Sequence, residues 1–144
     1  ATRPVATTQV AAPALRDSQL EGVRVLCIDN ESDILIAMHS LLGRWGCEVR
    51  CAQNQEQALS LIGDGFLPQL VLSDYHLDDG KTGLQALHMI RLAHGNGIGG
   101  IIISADRKSE LQTQIREHGF GYVSKPVKPL KLRALMNSLL LPIE

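Results

Sequence analysis

From Val23 onward, short apolar runs alternate with longer amphipathic stretches, five of each, to the end of the 144-residue chain. That alternation constrains the fold more than any other feature, because it marks β/α units that build a parallel sheet. The apolar runs at 23–28, 47–51, 70–73, 100–104 and 121–124 read as strands. Four of them are almost unbroken, as expected of strands covered on both faces. Between them Ile34, Met38, Leu41, Leu42 and Trp45 recur at helical spacing, as do Leu132, Leu135, Met136 and Leu139. Asn54 followed by Gln57 resembles a capping box ahead of Ala58, Leu61 and Ile62. Further helices are expected to start near Gly83 and near Asp106.

Right-handed crossovers restrict such a chain to a doubly wound α/β fold with helices on both faces. Five strands fit the flavodoxin-like order 2-1-3-4-5, in which ligands bind beyond the carboxyl ends of the strands, at the switch point between the first and third. The length and the 44% hydrophobic content fit one domain with a real core. Residues 1–21, rich in Ala, Thr and Pro, read as a tether; 22–141 as the domain; 142–144 as a tail.

A net charge of −1 gives no broad basic surface for nucleic acid, so no nucleic-acid contact by this chain is expected. No apolar stretch is long enough to span a bilayer, so no membrane contact is expected either, and the location read from this is cytoplasmic. Cys27, Cys47 and Cys51 lack metal-binding spacing and read as reduced thiols. His39, His88, His94 and His118 are scattered and give no internal phosphodonor.

Polar residues close the apolar runs. Asp29, Asn30 and Glu31 follow the first strand, Asp74 the third and Lys125 the fifth, while Ser104 ends the fourth. In the order 2-1-3-4-5 these converge on one sheet edge, with Asp29 and Asp74 together at the switch point. Two adjacent carboxylates repel unless a cation neutralises them, and their hard oxygens suit Mg²⁺. A lysine and a hydroxyl beside them would serve phosphoryl oxygens. Taken singly, each residue has an ordinary reading: Asp29 or Asn30 as a helix cap, Asp74 as a turn residue, Ser104 as a strand end, Lys125 as a surface charge and Tyr122 as packing. Asp78-Asp79-Gly80 reads as an acidic turn, and Lys81-Thr82-Gly83 lacks the full phosphate-loop spacing.

The segments at 25–31 (Val-Leu-Cys-Ile-Asp-Asn-Glu), 70–75 (Leu-Val-Leu-Ser-Asp-Tyr), 101–105 (Ile-Ile-Ile-Ser-Ala) and 121–126 (Gly-Tyr-Val-Ser-Lys-Pro) together resemble the receiver domains of response regulators and hybrid histidine kinases. The resemblance implies Asp74 as phosphoacceptor, Lys125 as the phosphate-contacting lysine, Ser104 as the switching hydroxyl and Tyr122 as the aromatic that turns inward on activation. It implies a Mg²⁺ site of Asp29, Asn30, Asp74 and the backbone carbonyl of His76, with Glu31 as a further donor. Pro126 implies a cis peptide. The expected partner is a histidine kinase or histidine phosphotransfer domain, with a homodimer through the fourth and fifth helix region as a further arrangement. Residues 20–30 resemble the start of C-terminal receivers of hybrid kinases.

Asn30 departs from the family, which has a second acid there. Asn30→Asp is therefore expected to tighten Mg²⁺ binding by adding a charge. The same departure keeps open a degenerate receiver that serves only as an interaction module. A strand-end Asp, Ser and Lys also suit an Asp-nucleophile phosphatase, although His76 stands where that chemistry needs a second acid. A flavin-binding protein of the same fold fits poorly, since there is no Ser/Thr-rich phosphate loop after the first strand and only five aromatic residues, Trp45, Phe66, Tyr75, Phe120 and Tyr122.

Overall fold

The computed structural model describes residues 20–95 and 97–140; the greater part of the expected tether and the expected tail lie outside them. Five strands, β1 (Arg24–Ile28), β2 (Glu48–Ala52), β3 (Leu70–Asp74), β4 (Gly99–Ser104) and β5 (Gly121–Ser124), alternate with five helices. The helices are α1 (Ser32–Arg44), α2 (Gln55–Gly63), α3 (Gly83–His94), α4 (Ser109–Glu117) and α5 (Pro129–Leu140). All neighbouring strands are parallel and the order is β2-β1-β3-β4-β5, as the alternation requires.

Strand side chains alternate between the two faces, so the sheet has two cores. Val25, Cys27, Leu70, Leu72, Ile101 and Ile103 face α1 and α5, which contribute Leu35, Met38 and Leu42, and Leu132 and Met136. Leu26, Ile28, Val71 and Ile102 face α2, α3 and α4. β3 is buried along its whole length, which explains its lack of any polar alternation. Leu20 is fully buried in the first core and accepts a hydrogen bond from the Val23 amide, so the packed unit includes a residue two positions ahead of the expected boundary.

Helix starts show where local chemistry is strong. Asn54 accepts from the Gln57 amide at 2.8 Å, but the Gln57 side chain accepts from Gln53 rather than Asn54, so only half of the expected box forms. A complete box opens α3, where Thr82 and Gln85 accept each other's backbone N–H groups. α4 begins at Ser109, later than expected, because Asp106 folds the preceding loop by accepting from the Lys108 amide at 3.0 Å.

Candidate phosphoacceptor site

Register positions the site. Ile28 pairs with Ser73, so one further step sets Asp29 beside Asp74 at the carboxyl edge. Asp74 pairs with Ile103, and Ser104 with Ser124, which places Ser104 and Lys125 just beyond on the neighbouring strands. Asp29, Asp74 and Ser104 are nearly inaccessible, at 5%, 7% and 1% exposure. Buried carboxylates need partners, and they have them. Lys125 Nζ lies 2.9 Å from Asp74 Oδ1. The Glu31 amide donates to Asp29 Oδ1 at 2.9 Å.

Burial pushes the Asp29 carboxyl above its usual range; the Glu31 amide opposes this and the neighbouring Asp74 charge adds to it. Burial pulls the Lys125 ammonium down, but the hydrogen bond and charge of Asp74, joined by Asp29 and Glu31, outweigh it and the net shift is upward. One lysine thus neutralises a site holding two carboxylates, and the excess is negative.

The rim is built from three loops. Asn30 Nδ2 donates to Asp78 Oδ1 at 2.8 Å, tying the loop after β1 to a single 3₁₀ turn at Asp78–Gly80. His76 is exposed, its backbone paired in an isolated antiparallel bridge with Thr82. Gly83 presses on the end of β3: a Cβ there would collide with the Asp74 carbonyl and the Ser73 hydroxyl. That contact and the Thr82 box fix α3 against the strand that carries Asp74. Ser104 Oγ accepts from the Asp106 amide at 3.0 Å, and the Tyr122 hydroxyl donates to the Asp106 carbonyl at 2.5 Å. The Lys125–Pro126 peptide is cis, as the resemblance implied.

The expected residues therefore divide. Asp29, Asp74 and Lys125 form one charged cluster, Ser104 and Tyr122 hold a loop beside it, Glu31 reaches it through its amide, and Asn30 stands at the rim bonded to Asp78. Asp78, Thr82 and Gly83 were not singled out as site residues; only the Thr82-x-x-Gln85 pattern carried a readable signal. Beside the acids an apolar cavity of about 640 Å³ runs along α1, past Ile34, Met38 and Leu41 and below Pro126 and Val127.

Among the described residues no group of three or more His, Cys, Asp or Glu side chains gathers as a metal cluster. The donors on offer are instead two carboxylates, an amide oxygen and backbone carbonyls. That all-oxygen set fits a hard divalent cation that keeps part of its water shell, and the uncompensated charge at Asp29 fits it as well.

The chain is 29% identical over 120 residues to an uncharacterised 14.6 kDa protein of Leptolyngbya boryana, covering 82% of this chain and 90% of that one. It is 32% identical over 123 residues to the transcriptional regulatory protein AruR of Pseudomonas aeruginosa, covering 81% of this chain but only 49% of AruR. Its fold is that of the chemotaxis response regulator CheY4 of Vibrio cholerae, with a TM-score of 0.72 at 20% identity over 83% of this chain and 99% of CheY4. Residues 25–137 match the response regulator receiver domain family, a span that contains every charged residue of the site, and the chain belongs to that family.

Proposed function

We propose that Asp74 accepts a phosphoryl group from a phosphohistidine of a histidine kinase or histidine phosphotransfer domain, in a step that uses Mg²⁺. The observation that carries this is the pair Asp74 and Lys125 at 2.9 Å beside Asp29, on a buried edge where charge is weakly screened. In the transfer the P–N bond to the donor imidazole breaks and a P–O bond to an Asp74 oxygen forms. Lys125 is already hydrogen-bonded to that carboxylate and holds a positive charge where phosphoryl oxygens arrive. Asp29, Asn30 and the His76 carbonyl would hold the cation with Asp74, and Glu31 would add charge at the rim. Bound Mg²⁺ would neutralise phosphoryl oxygens and orient them for in-line attack. The apolar wall along α1 offers a donor protein a surface to dock on beside the acids.

Ser104 and Tyr122 would carry the signal onward, since both hold the Asp106 loop. A cavity of about 400 Å³ on that side is lined by Tyr122, Arg107, Lys128 and Lys131. Three like charges there favour an acidic partner over the homodimer through α4 and α5, whose symmetric contact would oppose them. The parent is proposed to be a hybrid histidine kinase.

Incubation with Mg²⁺ and acetyl phosphate should add one phosphoryl group to the intact mass, and Asp74→Asn should gain none. An adduct retained in Asp74→Asn would overturn the assignment. Continuous release of phosphate from unrelated monoesters would point to a phosphatase instead.

A further inference from the structure

The hydrogen bond between Asn30 and Asp78 links residues 48 positions apart, and it settles a question that Asn30 raises. An asparagine amide carries two donors on one corner and an acceptor oxygen on the other, and it binds a cation only if the oxygen faces the site. An ionised carboxylate only accepts. With Asp78 Oδ1 at 2.8 Å, the amide nitrogen must face Asp78, and the oxygen is left as the other corner, free of that hydrogen bond. Asp78 itself is held firmly. Its carbonyl accepts from the Lys81 amide at 3.2 Å, the Leu77 amide donates to the Lys81 carbonyl at 2.9 Å, and Asp79 and Gly80 take left-handed φ values of 62° and 74° to close the turn.

We propose that Asp78 is a positioning residue for the cation site: it fixes the Asn30 amide with its oxygen available, and so makes an amide serviceable where the family has an acid. The proposal rests on the metal-dependent phosphoacceptor reading above and deepens it. It also alters the expectation for Asn30→Asp. A carboxylate at position 30 would face the Asp78 carboxylate across the present hydrogen-bond distance, so the added charge would come with repulsion and a lost hydrogen bond. Asn30→Asp combined with Asp78→Asn removes the conflict, because the amide at position 78 can donate to the carboxylate at position 30. The tighter Mg²⁺ site belongs to the double variant.

The test uses the full chain in four variants, Asp78→Ala, Asp78→Asn, Asn30→Asp and the double variant, against wild type. Mg²⁺ affinity is measured by calorimetry and thermal unfolding in chelator. Loss of a partner that orients a metal ligand typically costs about 10–100-fold in affinity, and a loss toward the lower end is expected for Asp78→Ala. Asp78→Asn, whose amide oxygen still accepts from Asn30, should recover most of it. Asn30→Asp alone should unfold at lower temperature in chelator and bind Mg²⁺ less tightly than the double variant. A merely structural clasp would lower the unfolding temperature of Asp78→Ala and leave its Mg²⁺ affinity at the wild-type value, which overturns the proposal. Equal affinities for Asn30→Asp and the double variant would do the same. Absence of Mg²⁺ binding by wild type, together with absence of a phosphoryl adduct, would overturn the phosphoacceptor reading too, whereas adduct formation with Asp78-independent Mg²⁺ binding would overturn only the role of Asp78.

Discussion

Asp29 has a single side-chain hydrogen bond described, from the Glu31 amide, and faces the charges of Asp74 and Lys125. Its carboxyl titrates above the ordinary value of 3.8, so the fold disfavours the charged form. Between 3.8 and the raised folded value the native state holds more protons than the unfolded one, and stability falls as pH rises through that window. The loss is complete once pH has passed the folded value. Asp29→Asn keeps an oxygen for the Glu31 amide and removes the charge, so its metal-free unfolding temperature should exceed that of wild type once pH lies above the folded value. The advantage should shrink as pH falls toward 3.8. Lys125 works in the opposite sense. Its raised folded value adds stability at all pH below the ordinary 10.5, lost only as pH climbs through the folded value. Thermal scans in chelator across acid and neutral pH check the first effect, and a constant Asp29→Asn advantage at every pH would refute it.

At the scale of elements, the seating of α3 against β3 fixes the backbone around Asp74. Gly83 has no room for a Cβ because the obstacles are the Asp74 carbonyl and the Ser73 hydroxyl, neither on a long flexible arm. Gly83→Ala should therefore lower stability by about 1–3 kcal/mol, the usual range for overpacking, read as a lower urea midpoint with unchanged slope. Thr82→Ala should cost about 1 kcal/mol through loss of the box. Equal midpoints for Gly83→Ala and wild type would show that α3 moves away freely. The strands were legible because both faces are covered, and a run such as Leu70-Val71-Leu72 leaves few other readings. Asp29, Asp74, Ser104 and Lys125 were legible because each ends such a run. Helix starts were less so. Gln57 had a choice of two amides and took Gln53, and Asp106 turned the chain before α4 could begin. The partnership of Asn30 with Asp78 left no mark in either segment, since each looks like an ordinary loop and only the sheet order brings the loops together.

At the scale of the molecule, the question is how a charge at Asp74 is felt on the face formed by α4, β5 and α5. The loop after β4 connects them. Its Asp106 is held twice: its amide donates to Ser104 Oγ at 3.0 Å, and its carbonyl accepts from the Tyr122 hydroxyl at 2.5 Å. Its side chain in turn holds the Lys108 amide at 3.0 Å, one residue before α4. A phosphoryl group on Asp74 would compete for Ser104, releasing the Asp106 amide, and the tyrosine ring would follow the loop. Two packings of that loop, biased by one hydroxyl, would form the bistable element that such a switch needs. Tyr122→Phe removes the hydroxyl's short bond to the Asp106 carbonyl together with its longer one to the Ser104 carbonyl, at 3.4 Å, and leaves the Ser104 side chain in place. Since one hydrogen bond contributes about 1 kcal/mol, the Asp106 and Lys108 amides should exchange about fivefold faster in the unphosphorylated variant than in wild type. With beryllofluoride standing in for the phosphoryl group, wild-type exchange should rise and the difference between the two proteins should close. Hydrogen exchange read at these two amides, with and without beryllofluoride, separates the possibilities. Equal exchange in the unphosphorylated proteins would mean that Tyr122 does not hold the loop, and an undiminished difference with beryllofluoride would mean that Ser104 and Tyr122 act independently.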